Sequence, residues 1–257
     1  MNLIILTETD RMAENTFRLV DNRAEHIRSV LKLGVGDTVL VGLLNGPQCT
    51  AEIVQSESGL IELKCSNWRE TASPKPEIDL ICALPRPQTL KKVLLTCAMM
   101  GVRSLHLIRA NRVEKSYFQS PLIQTENQLP FLIEGLAQGK LTRLPIVTVH
   151  DRFRRFFEDE VDQIGCDAGS RSLRLLCSPE TEATLDTVYD QGADEMLVAV
   201  GPEGGWVPFE TELIQSVGFR PFTLGRWTLR VEHAVTAALS QAELLRLMSI
   251  TRSRKNP

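Results

Sequence analysis

The sequence has little that would commit it to a membrane, a metal or an oxidising compartment. Its longest apolar run, residues 93–102, is about half of what a helix needs to cross a bilayer. Six cysteines (Cys49, Cys65, Cys82, Cys97, Cys166, Cys177) are scattered with no CxxC pair, and the four histidines are far apart in sequence. Neither zinc nor a disulfide framework is expected, and the cysteines read as reduced, mostly apolar-packed residues. Residues 1–6 carry no basic stretch and no long apolar core, so no secretory leader is expected and a cytoplasmic location is. Aromatic residues are few, at 5%, and the net charge is −3, which argues against binding nucleic acid over the whole surface. An RNA partner would need a local basic patch. The familiar glycine fingerprints GxGxxG and ExGxGxG are missing, as is the phosphate-binding GxxxxGK[ST].

What remains is an ordinary globular composition, 43% hydrophobic and 24% charged over 257 residues, enough for one or two domains. The most informative stretch is residues 200–238. Residues 195–200 (EMLVAV) form a short apolar run, read as a buried strand. Gly201, Pro202, Glu203, Gly204 and Gly205 break it, and residues 208–217 follow a helical pattern with Phe209, Leu213 and Val217 on one face, stopped by Gly218. Residues 220–224 read as a second strand, 225–230 as a second loop, and 231–247 as a closing helix rich in Ala and Leu. The two strands are expected to be parallel neighbours. Loops at the carboxyl ends of such strands are where open α/β sheets bind ligands. Glu203 and the lack of a nearby Lys disfavour phosphate, and favour a ligand with positive charge or many hydrogen-bond donors. On spacing alone, GPEGG could equally be a tight turn.

VGPEGGW followed by LGRWTLRVEHA resembles the paired C-terminal motifs of the RsmE family. Those are SPOUT-class RNA methyltransferases that use S-adenosylmethionine to methylate N3 of a uridine in 16S, the small-subunit ribosomal RNA. The match runs through Gly201, Pro202, Glu203, Gly204, Gly205, Glu210, Gly218, Phe219, Leu224, Gly225, Leu229, Arg230, Glu232 and Ala234. His233 stands where the family has Thr, and Arg226-Trp227 replaces its usual Pro-Arg pair. HIRSVLKLGVGDTVLVG, from His26, is similar to the family's N-terminal segment, a PUA-like barrel. In residues 84–102, Leu84, Pro85, Lys92, Gly101 and Val102 match a further family string, with Met99 in place of its usual Glu.

The chain order agrees with two units. Residues 1–65 alternate short strands and turns, with a helical segment at 24–32 and Asn45-Gly46-Pro47 as a turn signal. Residues 66–77 are polar with two prolines and read as a linker. Beyond them strands and helices alternate: strands at 78–84, 104–108, 145–149 and 172–177, helices at 89–100, 121–139 and 153–164. That pattern predicts a parallel α/β domain. The expected organisation is a PUA-like RNA-binding domain at 1–68 and a SPOUT methyltransferase domain at 75–257. The resemblance implies a trefoil knot in the second domain; pattern alone would not, since knots are very rare. Phe153, Phe156 and Phe157 read as core.

The resemblance also implies where the chemistry lies. The cofactor would sit among three loops, at 177–180, 200–205 and 224–230, contacting Cys177, Ser178, Val200, Gly201, Glu203, Gly204, Gly205, Leu224, Gly225, Leu229 and Arg230. Arg230 could stabilise charge developing on the uracil oxygen. Glu232 could accept a proton, or anchor Arg230 and cap the last helix. His233 is a further candidate base, as histidines can be, but helix geometry puts it on a different face from Glu232. Arg109, Arg112 and Lys115, three apart, form either a solvated loop or a seat for RNA phosphates, with Tyr117 available to stack a base. The partners expected are ribosomal RNA or the small ribosomal subunit and a second copy of the chain, with no membrane and no metal. Two other readings stay open: an RNA-binding protein without turnover, and a methyltransferase for another RNA.

Overall fold

The computed structural model describes residues 3–71, 77–164, 171–190 and 192–253. Cys166, residues 72–76 of the expected linker and residues 254–257 of the basic tail lie outside them. Alternation in the first segment builds a curled sheet. Its strands are β1 (Ile4–Leu6), β2 (Arg11–Ala13), β3 (Thr16–Leu19), β4 (Thr38–Leu43), β5 (Gln48–Glu57) and β6 (Leu60–Arg69). They lie in the order β1-β4-β5-β6-β3-β2, antiparallel except for β1 against β4. Cys49, Ala51 and Ile53 of β5 and Ile61, Leu63 and Cys65 of β6 alternate inward to a core they share with Phe17, Leu19 and Val41. The period-two pattern thus sends one face of each long strand inside. Helix α1 (Asn22–Glu25) runs into a π-helical turn (His26–Val30) and closes this core with Ala24 and Ile27. β2 and β3 were not anticipated, because three- and four-residue strands are too short for periodicity to reveal. β6 also runs on through residues 66–69, which the polar composition marks as linker; pairing of Thr50 with Ser66 and Gln48 with Arg69 keeps them in the sheet.

The second segment supplies β7 (Glu77–Ala83), α2 (Pro87–Met99), β8 (Ser104–Ile108), α3 (Thr125–Gly139), β9 (Ile146–His150), the short turn α4 (Phe153–Arg155), β10 (Ser172–Cys177), α5 (Leu185–Val188), β11 (Glu195–Val200), α6 (Pro208–Ser216), β12 (Arg220–Phe222) and α7 (Val231–Ser253). All six strands are parallel, in the order β12-β10-β11-β7-β8-β9. The α/β expectation therefore holds. One detail does not: β11 and β12 are not neighbours, because β10 lies between them and pairs with both. Sequence adjacency suggested a direct pairing; the sheet instead inserts the earlier strand. Helices cover both faces, so β7, β8 and β11 are buried along nearly their whole length. One layer packs α2, α3 and α7 through Leu94, Leu136, Val235 and Leu239. The other packs Phe156, Phe157, Ile214 and Phe219. Phe156 and Phe157 are core as expected, while the helix expected over 153–164 breaks into shorter turns.

The two sheets are joined at the end of α3. Leu3 N–H donates to Ala137 O at 2.9 Å, Asn45 N–H to Thr142 O at 2.7 Å, and Thr142 Oγ1 to Gly46 O at 2.6 Å. Leu3 and Ile5 point their side chains into the helical layer of the second sheet.

The amino edge of that sheet is closed by charge. Arg103, just before β8, donates to Glu77 at 2.7 Å, to Glu195 at 2.8 Å and to both oxygens of Asp79. Asp79 is fully buried and also accepts from Ser104 Oγ at 2.6 Å. Ser104 then meets His106 Nε2 at 2.8 Å, and His106 Nδ1 lies 3.2 Å from His150 Nε2. Two histidines far apart in sequence thus meet on neighbouring strands. Burial, with the neighbouring His150, drives the His106 pKa down to about 4.

Candidate active site

The carboxyl edge of the same sheet is built from glycine and backbone. β11 ends at Val200, and the chain turns at once: Gly205 N–H donates to Pro202 O at 2.8 Å, with Gly205 at φ 73°. That left-handed turn is cheap for glycine and strained for other residues. Beside it, Ser178 N–H donates to Phe222 O at 2.9 Å, tying the end of β10 to β12. Thr223 Oγ1 donates to Gly225 O at 3.0 Å and accepts from Gly225 N–H at 3.2 Å, so the last loop folds on itself. Gln241 Nε2 of α7 holds Leu224 O from below at 3.3 Å.

These loops enclose a cavity of about 310 Å³. Cys177, Ser178, Val200, Gly201, Glu203, Gly204, Gly205, Leu224, Gly225 and Leu229, which the resemblance implies for the cofactor, line it. Arg230, expected there too, is not among the lining residues, although Leu229 and Val231 on either side of it are. The walls also include Arg112, Trp206, Thr211, Thr223 and Ala234, which sequence reasoning missed. Trp206 directly follows the GPEGG turn and could have been included from that alone. Its indole Nε1 is buried without a hydrogen-bond partner among the described residues, beside Gly201, where a Cβ would come within 3.0 Å of it. A buried donor left unpaired is costly unless something else satisfies it. Burial, with Cys82 nearby, pushes the Cys177 thiol well up, so it lines the cavity as a neutral side chain.

Arg230 is exposed, and its guanidinium has no hydrogen bond or ion pair among the described residues; its carbonyl accepts from His233 and Ala234 N–H and so starts α7. Glu232 does not anchor it. Glu232 is buried and bound to Lys92 Nζ of α2 at 3.1 Å. Burial alone would raise its pKa, but its own backbone N–H and Lys92 outweigh that and leave it lowered. An acid in the first turn also complements the helix dipole. His233 is exposed.

The basic loop after β8 is divided. Arg109 is half-buried, 5.8 Å over the Phe118 ring, and Lys115 is exposed. Arg112 reaches across to the cavity and donates to Gly204 O. Tyr117 packs against the core, with its hydroxyl donating to Glu114 at 3.1 Å, so its ring is partly committed.

Residues 71–243 match the model of a family described as RNA methyltransferase domain. Ribosomal RNA small subunit methyltransferase E of Treponema pallidum is 32% identical over 242 residues, covering 93% of this chain and 89% of that protein. The chain belongs to the RsmE family. A protein named ribosomal RNA small subunit methyltransferase E 1 from Borreliella burgdorferi is 26% identical, covering 93% of this chain and 95% of that protein. The crystal structure of the Neisseria gonorrhoeae enzyme, bound to S-adenosyl methionine, has the same fold: TM-score 0.73 at 20% identity, covering 95% of this chain and 98% of that one. The RsmE fold thus comprises the curled sheet and the parallel sheet found here. No helix among the described residues is long and apolar enough to cross a membrane.

Proposed function

We propose that this RsmE-family protein methylates N3 of a uridine in small-subunit ribosomal RNA, with S-adenosylmethionine as methyl donor. The observation that carries the reading is the three-loop cavity at the carboxyl ends of β10, β11 and β12, with the exposed Arg230 beside it, its guanidinium unpaired among the described residues. The donor set suits this cofactor. The Trp206 indole N–H and the backbone amides of 201–205 can meet its polar groups, Leu224 and Leu229 its base, and Glu203 its positive charge. When bound, it supplies a methyl group activated by a sulfonium.

The protein's own groups do the rest. Uracil N3 attacks well only as its proton leaves, and charge then develops on the neighbouring oxygens. Arg230 holds a fixed cation for that charge; one such donor is worth about 10²–10³-fold in rate. Glu232, ionised and held by Lys92, positions the first turn of α7 and thereby Arg230. It is a weak base in this setting, so its role is positioning. Holding the two reactants in register supplies much of the remaining rate. Arg109, Arg112 and Lys115 face the RNA, residues 1–68 act as the RNA-binding domain, and residues 75–257 act as the catalytic one. The reading includes a cytoplasmic location and a homodimer. Exposed Leu244, Leu247 and Met248, three and four apart on α7, give the second copy an apolar face.

The test is nucleoside mass spectrometry of small-subunit RNA from cells with and without the gene. Loss of 3-methyluridine is expected. Loss of a different methylated nucleoside would move the target. An unchanged profile would favour RNA binding without turnover.

A further inference from the structure

The loop after β8 and the glycine loop after β11 are joined twice. Arg112 Nη1 donates to Gly204 O across 92 positions of sequence. Glu210, in the first turn of α6 and almost fully buried, uses both oxygens: Oε2 accepts Val207 N–H at 3.0 Å, and Oε1 accepts Asn111 N–H at 2.6 Å. Capping the helix needs only the first of these bonds. The second ties an exposed residue of the basic loop to the segment that leaves the cavity. Gly204 makes room for the clasp, since a Cβ there would come within 3.0 Å of Arg112 Cδ. Burial, the Glu114 bond and the charges of Glu114 and Glu203 hold the Tyr117 hydroxyl above its ordinary range. On the inner side, Ala110 and Val113 are buried in the core.

We propose that Arg112 and Glu210 are positioning residues that make the cofactor loop 201–205 and the RNA-facing loop 109–117 move as one body. A ligand that fixes Gly204 also fixes its carbonyl, and with it Arg112. Asn111 is held to the same segment through Glu210. Cofactor binding therefore orders the RNA-facing loop before RNA arrives. By reciprocity RNA binding tightens the cofactor by the same factor. The inference rests on the cavity being the S-adenosylmethionine site.

Amide hydrogen exchange with and without S-adenosylmethionine tests it, on the full chain and on Arg112→Ala and Glu210→Gln. Arg112 is exposed, so its variant should fold; Gln retains an acceptor oxygen and the shape of Glu210. In the wild type, cofactor should slow exchange in both 201–205 and 109–117, the latter by at least ~5-fold, the lower end of ordinary coupling. In Arg112→Ala, the cofactor-dependent protection should persist at 201–205 and fall away at 109–117; Glu210→Gln should retain part of it. A merely structural role would shift exchange equally with and without cofactor. Protection at 201–205 alone in the wild type would overturn the clasp and leave the cavity standing. Undiminished protection of 109–117 in Arg112→Ala would also overturn it. No protection at 201–205 would remove the cofactor site and the clasp together.

Discussion

The two ends of the parallel sheet are built on opposite plans. At the amino end, Arg103 gathers Glu77, Asp79 and Glu195 into a largely buried set of charges in which Glu195 Oε2 alone of the carboxylate oxygens is buried without a partner among the described residues, and Ser104, His106 and His150 extend the chain of polar contacts. At the carboxyl end the walls are rich in glycine and backbone, and among the described residues neither the Trp206 indole nor the Arg230 guanidinium has a partner. One end commits nearly all of its polar groups to the protein; the other leaves polar groups open to a cavity. Substitutions at the first should therefore cost stability, and at the second activity.

The sharpest way to break that division is Arg103→Ala. It would strand Asp79, which is fully buried, and Glu195; loss of one partner from such a set costs about 3–5 kcal/mol. Chemical denaturation should show a loss of that size, with cofactor affinity of the folded fraction unchanged. Arg230→Ala is the mirror case. Methyl transfer should fall by about 10²–10³-fold, while the melting temperature stays put. A variant that lost both would place Arg230 in the fold rather than the chemistry.

Acid should act on the amino end. His106 has a folded pKa of about 4 against an ordinary 6.5. The unfolded chain therefore binds the extra proton first. The stability this neutral histidine permits is complete above pH 6.5 and is lost as pH falls towards 4, by up to about 3 kcal/mol. His106→Gln should flatten that slope, which denaturant melts across this range would reveal. The smallest effect belongs to Trp206→Phe. Removing an unpaired donor should leave stability within about 0.5 kcal/mol and weaken cofactor binding by about one hydrogen bond, roughly 5–10-fold.

Much of this was legible in the sequence where signals are local. The family resemblance pointed to the three cavity loops, beside strand ends read at Cys177, Val200 and Leu224, and alternation of strands with helices gave the parallel sheet. What escaped was pairing over distance. Nothing local tells that β10 lies between β11 and β12, that Glu232 finds Lys92 rather than its near neighbour Arg230, or that Arg112 leaves its basic run for Gly204. The histidine pair escaped for the same reason: register between β8 and β9, not spacing, sets Thr148 opposite His106 and brings His150, two residues on, within reach of it.

The central claim is that the open carboxyl end of the sheet is the cofactor site, and the three tryptophans offer a direct measurement of it. Trp206 and Trp227 line the cavity, whereas Trp68 lies in the other sheet with its indole N–H donating to Asn15 at 3.2 Å. In a nitrogen-15 NMR titration with S-adenosylmethionine, with indole signals assigned by single Phe substitutions, the Trp206 signal should move and Trp68 should stay. A Trp206 signal unchanged at saturating cofactor, or movement confined to Trp68, would contradict the account.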